Sequence, residues 1–260
     1  MSKHATVTPP IFVINLPKDT DRRAFMENQL NRLSLQYKII EGRYGKDNDV
    51  ILACDDVLAV KEHGKVLTTG EKGCAFSHRS IYEVMEKEHI PQAIILEDDV
   101  VLPENFVTII SNIIDKRYMF DWLSFDYPKI GAPFVKAWSI ASYKMIKKNK
   151  LFFFYALIKF PLIIMMSLFE LVRNVIAVHL SWYRGPKIFY RPLYNAGAYM
   201  ITLEGVKKLK PLLYPLRFSA DRTPNYARMK KNFIMRWYVP RIVHQTDEDK
   251  GNTFTSNTIY

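Results

Sequence analysis

The stretch Ala93-Ile94-Ile95-Leu96 runs without a break into Glu97-Asp98-Asp99. Four apolar residues in a row fit a strand buried on both faces, the kind found inside parallel sheets. Three acids directly after it cannot share that burial, so they belong at the sheet's edge. Val100-Val101-Leu102 then leads the chain back inward. The flanking sequence repeats the logic. Ile11 to Leu16 reads as a short strand stopped by Pro17, followed by a helix from Thr20 to Leu35 with Asp19 as its cap. Tyr37 to Ile40 is a second strand, and Asp49 to Val60 is a helix. A longer helix runs from Thr68-Thr69-Gly70 to about Glu88, placing Cys74, Ile81, Val84 and Met85 inward. A helix from Asn105 to Asp115 and a strand from Trp122 to Phe125 follow. Later come a strand from Ala198 to Ile201, a helix from Leu203 to Leu209 capped by Thr202, and a strand from Tyr238 to Val243. This alternation predicts an α/β fold with a mixed, mainly parallel sheet. Ligands gather at the carboxyl ends of the strands in such sheets. Asn15-Leu16-Pro17 and Glu97-Asp98-Asp99 both fall there.

In an extended chain, residues 97 and 99 point one way and Asp98 the other. Glu97 and Asp99 can then approach one hard cation, Mn2+ or Mg2+, with a nucleotide diphosphate completing its sphere. A solvated acidic turn is the plain alternative. Arg22 and Arg23 lie in the first turn of a helix beside the end of the first strand. They suit a diphosphate or uracil carbonyls, or are ordinary surface charge. Gly70 and Gly73 at a helix start permit close backbone approach and favour anions, or simply make a turn and cap. Glu71 reads either as part of that site or as the capping partner of Thr68.

The chain has 260 residues with an apolar fraction of 48%, enough for a real core and against disorder. Cys54 and Cys74 are too few for a disulfide scaffold, which favours a reducing compartment. The apolar run Ile11 to Leu16 is shorter than a signal peptide requires, so secretion is not expected. Net charge is +11, and its distribution decides what it means. Between Tyr127 and Lys187 there are ten basic residues against Glu170 alone, so nine of the eleven net charges sit in one segment. A nucleic-acid-binding domain spreads such charge over a recognition surface, so no nucleic-acid partner is expected. Inside that segment lies Leu151 to Val172, apolar enough to meet a bilayer but interrupted by Lys159 and Pro161. A true crossing would split the soluble parts between two compartments. Residues 144–180 therefore read as a helical element lying against an anionic membrane surface, with a buried helical hairpin as the alternative. Three regions result: 1–126, a basic and apolar insertion over 127–189, and 190–260.

Four motifs occur in order: Ile14-Asn15-Leu16 with Arg22-Arg23; Thr69-Gly70-Glu71-Lys72-Gly73-Cys74-Ala75-Phe76-Ser77-His78; Leu96-Glu97-Asp98-Asp99-Val100; and Asn195-Ala196-Gly197-Ala198-Tyr199-Met200-Ile201. With them the chain resembles the family 25 lipooligosaccharide glycosyltransferases. The resemblance covers about Ile11 to Phe106 and Tyr190 to Leu209, and is weakest in the insertion. It implies a GT-A-like, Rossmann-type fold and inverting transfer of a hexose, with galactose the expected sugar. The donor is then a UDP-sugar and the acceptor a lipid-linked oligosaccharide, at the cytoplasmic face of the inner membrane. It makes Asn15, Leu16, Arg22, Arg23, Gly70, Glu71, Ser77, His78, Asn195, Gly197 and Tyr199 donor-site candidates. His78, a lone histidine on a helix, and the small-residue turn at Asn195 also have ordinary structural explanations. The metal set implied is Glu97, Asp98 and Asp99, with His244 added by analogy to other GT-A enzymes. Asp221 is the candidate general base and Asp126 the reserve, though Arg222 beside Asp221 can make an ion pair that lowers its basicity. The competing expectation is a catalytically inactive, membrane-associated scaffold of the same fold.

Overall fold

The computed structural model describes residues 8–126, 185–187, 195–229 and 232–246. The chain divides into two compact units, Met1–Tyr127 with Pro186–Tyr260, and Pro128–Gly185. The site lies in the first. The apolar run 151–172 and the proposed membrane surface 144–180 lie outside the described residues. Among the described residues, no helix is long and apolar enough to cross a membrane.

The first unit runs β1 (Ile11–Asn15), α1 (Thr20–Arg32), β2 (Tyr37–Glu41), α2 (Asn48–Ala53), α3 (Asp56–His63), α4 (Thr69–Lys87), β3 (Gln92–Glu97), β4 (Val100–Val101), α5 (Phe106–Asp115) and β5 (Trp122–Ser124). After β6 (Gly185–Lys187) come β7 (Ala198–Thr202), α6 (Leu203–Leu213), α7 (Arg222–Met229), β8 (Met235–Val239) and β9 (His244–Gln245). The main sheet has the order β2-β1-β3-β7-β5-β8-β6. β1 is parallel to β2 and β3, and β5 is parallel to β8. β7 runs antiparallel between β3 and β5. The fold is therefore mixed α/β, as the alternating sequence pattern predicts.

Both faces of the sheet are covered, which is why the central strands β1, β3 and β7 are mostly apolar. Ile11, Val13, Ile94, Leu96, Leu123 and Met200 pack with Met26 and Leu30 of α1 and with Phe106, Ile110 and Ile113 of α5. On the other face Tyr199 stacks on Trp122, with ring centroids 3.5 Å apart, and reaches α4 through Tyr82 and His78. The chain leaves β1 over one face to β2 and returns over the other to β3. That reversal makes the crevice outside the ends of β1 and β3 the natural ligand site.

Four local expectations are corrected. Asp19 holds the N-cap position of α1 without a side-chain capping bond. The segment from Asp49 to Val60 is two helices, because Cys54 turns extended and bridges to Leu216. Asp55 then caps α3 through the Leu58 N–H. The late strand ends at Val239, since Pro240 has no N–H to donate, and resumes as β9. Finally, β3 ends at Glu97, and Asp98-Asp99 form a turn into β4. The strict alternation of an extended chain therefore does not govern the three acids.

Candidate active site

The carboxyl ends of β1, β3, β5 and β8 share one edge of the sheet, and the chain enters β7 there. The Glu97 N–H donates to the Gly197 carbonyl at 2.8 Å, tying the acidic turn to the small-residue turn. Asn15, Glu97, Asp98, Asp99, Asp126, Asn195, Gly197 and Gln245 all meet at this edge.

One side of the acidic turn is closed by charge. Arg22 forks across two neighbours, donating from Nη1 to Asp98 Oδ1 and from Nη2 to Asp99 Oδ2, each at 2.9 Å. Asn15 Nδ2 donates to Asp98 Oδ2 at 2.8 Å and is shared with the Asp19 carbonyl. Both oxygens of Asp98 are thus engaged. Burial raises the Asp98 carboxyl above its ordinary range, and Arg22 and Asn15 only partly offset it. Arg22 therefore faces the acids in this structure, not an open phosphate position. Arg23 turns outward and pairs with Glu27 along the helix. Leu16 sits against the Gly42 backbone beside Asn15.

The other side is lined by the amides of Gln245 and Asn195 and by Arg241. Gln245 Nε2 lies 3.4 Å from Glu97 Oε2 and 3.5 Å from Asp99 Oδ1, so one oxygen of each carboxylate converges on a single point. Asn195 Nδ2 donates to Asp126 Oδ2 at 2.7 Å, and Arg241 Nη1 stands 3.5 Å from the other oxygen. Gly197 permits this assembly. A Cβ there would meet Asp126 Oδ2 at 2.9 Å and Gln245 Nε2 at 3.2 Å. His244 sits opposite Val101 in the β4–β9 ladder, next to Gln245, and neighbouring residues of a strand point to opposite sides.

Glu97 Oε1 is held from within. His78 Nε2 lies 3.2 Å away and Cys74 Sγ 3.6 Å away. His78 Nδ1 is 2.7 Å from Tyr199 Oη, which is 2.7 Å from Tyr82 Oη. A carboxylate can only accept, so the network assigns the Nε2–H tautomer, with Tyr82 donating to Tyr199 and Tyr199 to Nδ1. Burial pushes the Glu97 carboxyl up, but the bonds it accepts from His78 and Cys74 and the nearby Arg22 charge outweigh it and hold it below its usual range. Burial and the nearby Glu97 push the Cys74 thiol well above its ordinary range. Burial raises the Tyr82 and Tyr199 hydroxyls as well. Tyr199 and His78 thus act behind the carboxylate.

The α4 N-terminus is closed on itself. Thr68 and Glu71 form the reciprocal capping box, and Lys65 pairs with Glu71. Gly73 lets the Arg43 carbonyl pass where a Cβ would lie only 2.3 Å from it. Ser77 Oγ accepts from the Arg43 N–H. Gly70 is exposed on the first turn. Asp221 accepts from Ser219 Oγ at 2.6 Å, and its charge acts on Cys74. Cys74, Tyr82, Gln245 and Arg241 are site residues that the sequence reading missed as such. The inward face of α4 was the available signal for Cys74, while nothing local marks Gln245.

The sequence model of the family described as Glycosyltransferase family 25 (LPS biosynthesis protein) matches residues 8–223. Procollagen galactosyltransferase 1-B of Xenopus laevis is 33% identical over 95 residues, covering 34% of this chain and 16% of that protein. Inactive glycosyltransferase 25 family member 3 of Mus musculus is 31% identical over 102 residues, covering 37% of this chain and 17% of that protein. The matched stretch is therefore under a fifth of either relative's length. The crystal structure of a glycosyltransferase involved in the glycosylation of the major capsid of PBCV-1 is 13% identical, with a TM-score of 0.40, covering 88% of this chain and 81% of that one. A match that spans most of the sequence, through all four motifs gathered at the sheet's carboxyl edge or on α4, places this chain in glycosyltransferase family 25.

Proposed function

We propose that this chain is an inverting hexosyltransferase of GT-A-like fold, moving galactose from UDP-galactose to a lipid-linked oligosaccharide with the help of a divalent cation. The observation that carries the reading is the convergence of Glu97 Oε2 and Asp99 Oδ1 on the point held by the Gln245 amide. Two hard oxygen donors at a switch-point crevice suit Mn2+ or Mg2+. Glu97 and Asp99 would hold the ion, while Asp98, spent on Arg22 and Asn15, fixes the turn. When bound, such an ion supplies charge neutralisation for a departing diphosphate.

The remaining roles belong to the chain. The Asn195–Gly197 turn leaves space for a sugar ring beside Asn195. Inversion needs a base on the acceptor hydroxyl. Asp221 suits this better than Asp126: it is partly exposed and oriented by Ser219, whereas Asp126 is 1% exposed and faces Asn195 and Arg241. Asp221 takes the acceptor proton as the acceptor oxygen attacks the anomeric carbon and UDP leaves. Asp126 positions the Asn195 turn. The basic segment 144–180 is assigned to the anionic membrane surface on the cytoplasmic side, on charge and hydropathy alone.

The test is UDP-galactose turnover with and without Mn2+, for the native chain and Asp99→Ala. Mn2+-dependent turnover that the variant loses supports the reading, and equal rates would remove the metal role. A second reading, a scaffold without chemistry, is favoured by the Arg22 fork on two of the three acids. Calorimetric titration with UDP and Mn2+ separates them, since a scaffold binds neither. A donor panel of galactose, glucose and N-acetylhexosamine nucleotides then fixes the sugar.

A further inference from the structure

The inner side of Glu97 carries a second chemistry. Cys74 Sγ, His78 Nε2 and Glu97 Oε1 offer one sulfur, one imidazole nitrogen and one oxygen, all within 4.8 Å of one another. Zinc bonds to such atoms imply ligand-to-ligand separations of about 3.3–3.6 Å in a tetrahedron. His78 Nε2 to Glu97 Oε1 is 3.2 Å and Cys74 Sγ to the same oxygen is 3.6 Å. Cys74 and Glu97 are half-buried, and His78 is buried. Sulfur and imidazole select borderline and soft ions, not the Mn2+ or Mg2+ suited to Glu97 Oε2 and Asp99.

We infer that Cys74, His78 and Glu97 form a binding site for a thiophilic divalent cation, Zn2+ by class, distinct in chemistry from the hard-ion position on the other side of Glu97. The buried hydroxyls supply what a ligating histidine needs. His78 must free Nε2 and carry its ring proton on Nδ1, where Tyr199 Oη, 2.7 Å away, accepts it. Tyr199 then donates to Tyr82, reversing the chain by rotation of two hydroxyls. An imidazole fixed from behind by an oxygen is the usual support of a metal-bound histidine. Cation binding displaces one proton, that of the thiol, and the ion's charge holds the resulting thiolate. The three ligands leave a fourth position open. Because Glu97 is shared, a cation on Oε1 draws charge from Oε2 and weakens the hard-ion position. The inhibitory consequence rests on the proposed transferase reading; the binding site itself does not.

The test adds Co2+ alone, as a spectroscopic substitute, to the full chain without nucleotide. A single equivalent is expected to give tetrahedral d–d bands and a thiolate-to-cobalt charge-transfer band, both displaced by Zn2+. Cys54→Ser keeps the bands, Cys74→Ala loses the charge-transfer band, and His78→Gln weakens Co2+ binding by about tenfold or more. On the native chain, Zn2+ also protects Cys74, and not Cys54, from alkylation read by mass spectrometry, which needs no variant to fold. No thiolate band in the native chain, a band that survives Cys74→Ala, or Cys74 alkylated equally with and without Zn2+ overturns the site. If UDP-galactose turnover exists, Zn2+ lowers it in the native chain, and half-inhibition of Cys74→Ala needs about tenfold more zinc or beyond. Absent turnover with intact cobalt bands would sink the transferase reading and leave the site standing.

Discussion

The two sides of the acidic turn solve the same problem in opposite ways. Toward α1, negative charge is cancelled by a fixed cation: Arg22 bridges Asp98 and Asp99, and Asn15 closes the remaining Asp98 oxygen. Toward β9, Glu97 and Asp99 each turn an oxygen to a neutral amide at 3.4–3.5 Å. A carboxylate locked to arginine is committed to the fold, because separating a buried pair strands a charge. One facing a loosely placed amide can exchange that partner for a ligand at little cost. The lesson is that three adjacent acids divide their labour by partner, not by position in the motif.

The largest loss is expected at Arg22. Arg22→Ala should lower stability by about 3–5 kcal/mol, seen as an earlier urea midpoint at unchanged slope. Arg22→Lys should recover only part, since an ammonium cannot fork across two carboxylates. Exposed Arg23→Ala should cost about 1 kcal/mol or less, and equal losses for the two arginines would erase the distinction. Next, Asp99→Asn should weaken UDP and Mn2+ binding at least about tenfold by calorimetry, with Asp98→Asn closer to native. The reverse order would move the ligand to the α1 side. Gly197→Ala places a methyl group against Asp126 and Gln245. The expected destabilisation is about 1 kcal/mol, near the low end for overpacking, with a clear loss of turnover at intact circular dichroism. Thr68→Ala should cost about 1 kcal/mol of stability through the lost cap and, smallest in its effect on binding, leave UDP affinity unchanged. A fall in affinity would reopen the α4 N-terminus as part of the donor site.

Much of this was legible in the sequence because it is local. The apolar runs of β1 and β3, the capping signals at Thr68 and Thr202, and the acids at a strand's end all follow from neighbours in the chain. Family membership was legible through motif order. What escaped was long-range. Arg22 was correctly placed near the end of β1, yet its partners lie 76 and 77 residues away, so its role could not be read from helix position. Gln245 reaches the carboxylates where His244 was expected, because one residue of register along β9 reverses which side chain faces in. The helix from Asp49 to Val60 is broken by pairing of Cys54 with Leu216, a contact no periodicity in that segment encodes. Cys74 reads as a core residue on α4 until Glu97 is placed beside it.

Gln29, seven residues after Arg22 on α1, is buried and spends its amide on the main chain just past the acids. Its Nε2 donates to the Val100 carbonyl at 2.9 Å and its Oε1 accepts from the Leu102 N–H at 2.9 Å. One helix thus grips the turn at its front through a charge and at its back through a counterfeit strand. Seven residues are close to two full turns, so both grips project from one stripe. α1 works as a gauge block: inserting a residue between the two grips would swing one away by about 100°, and the acids would lose their alignment although none of them had been touched.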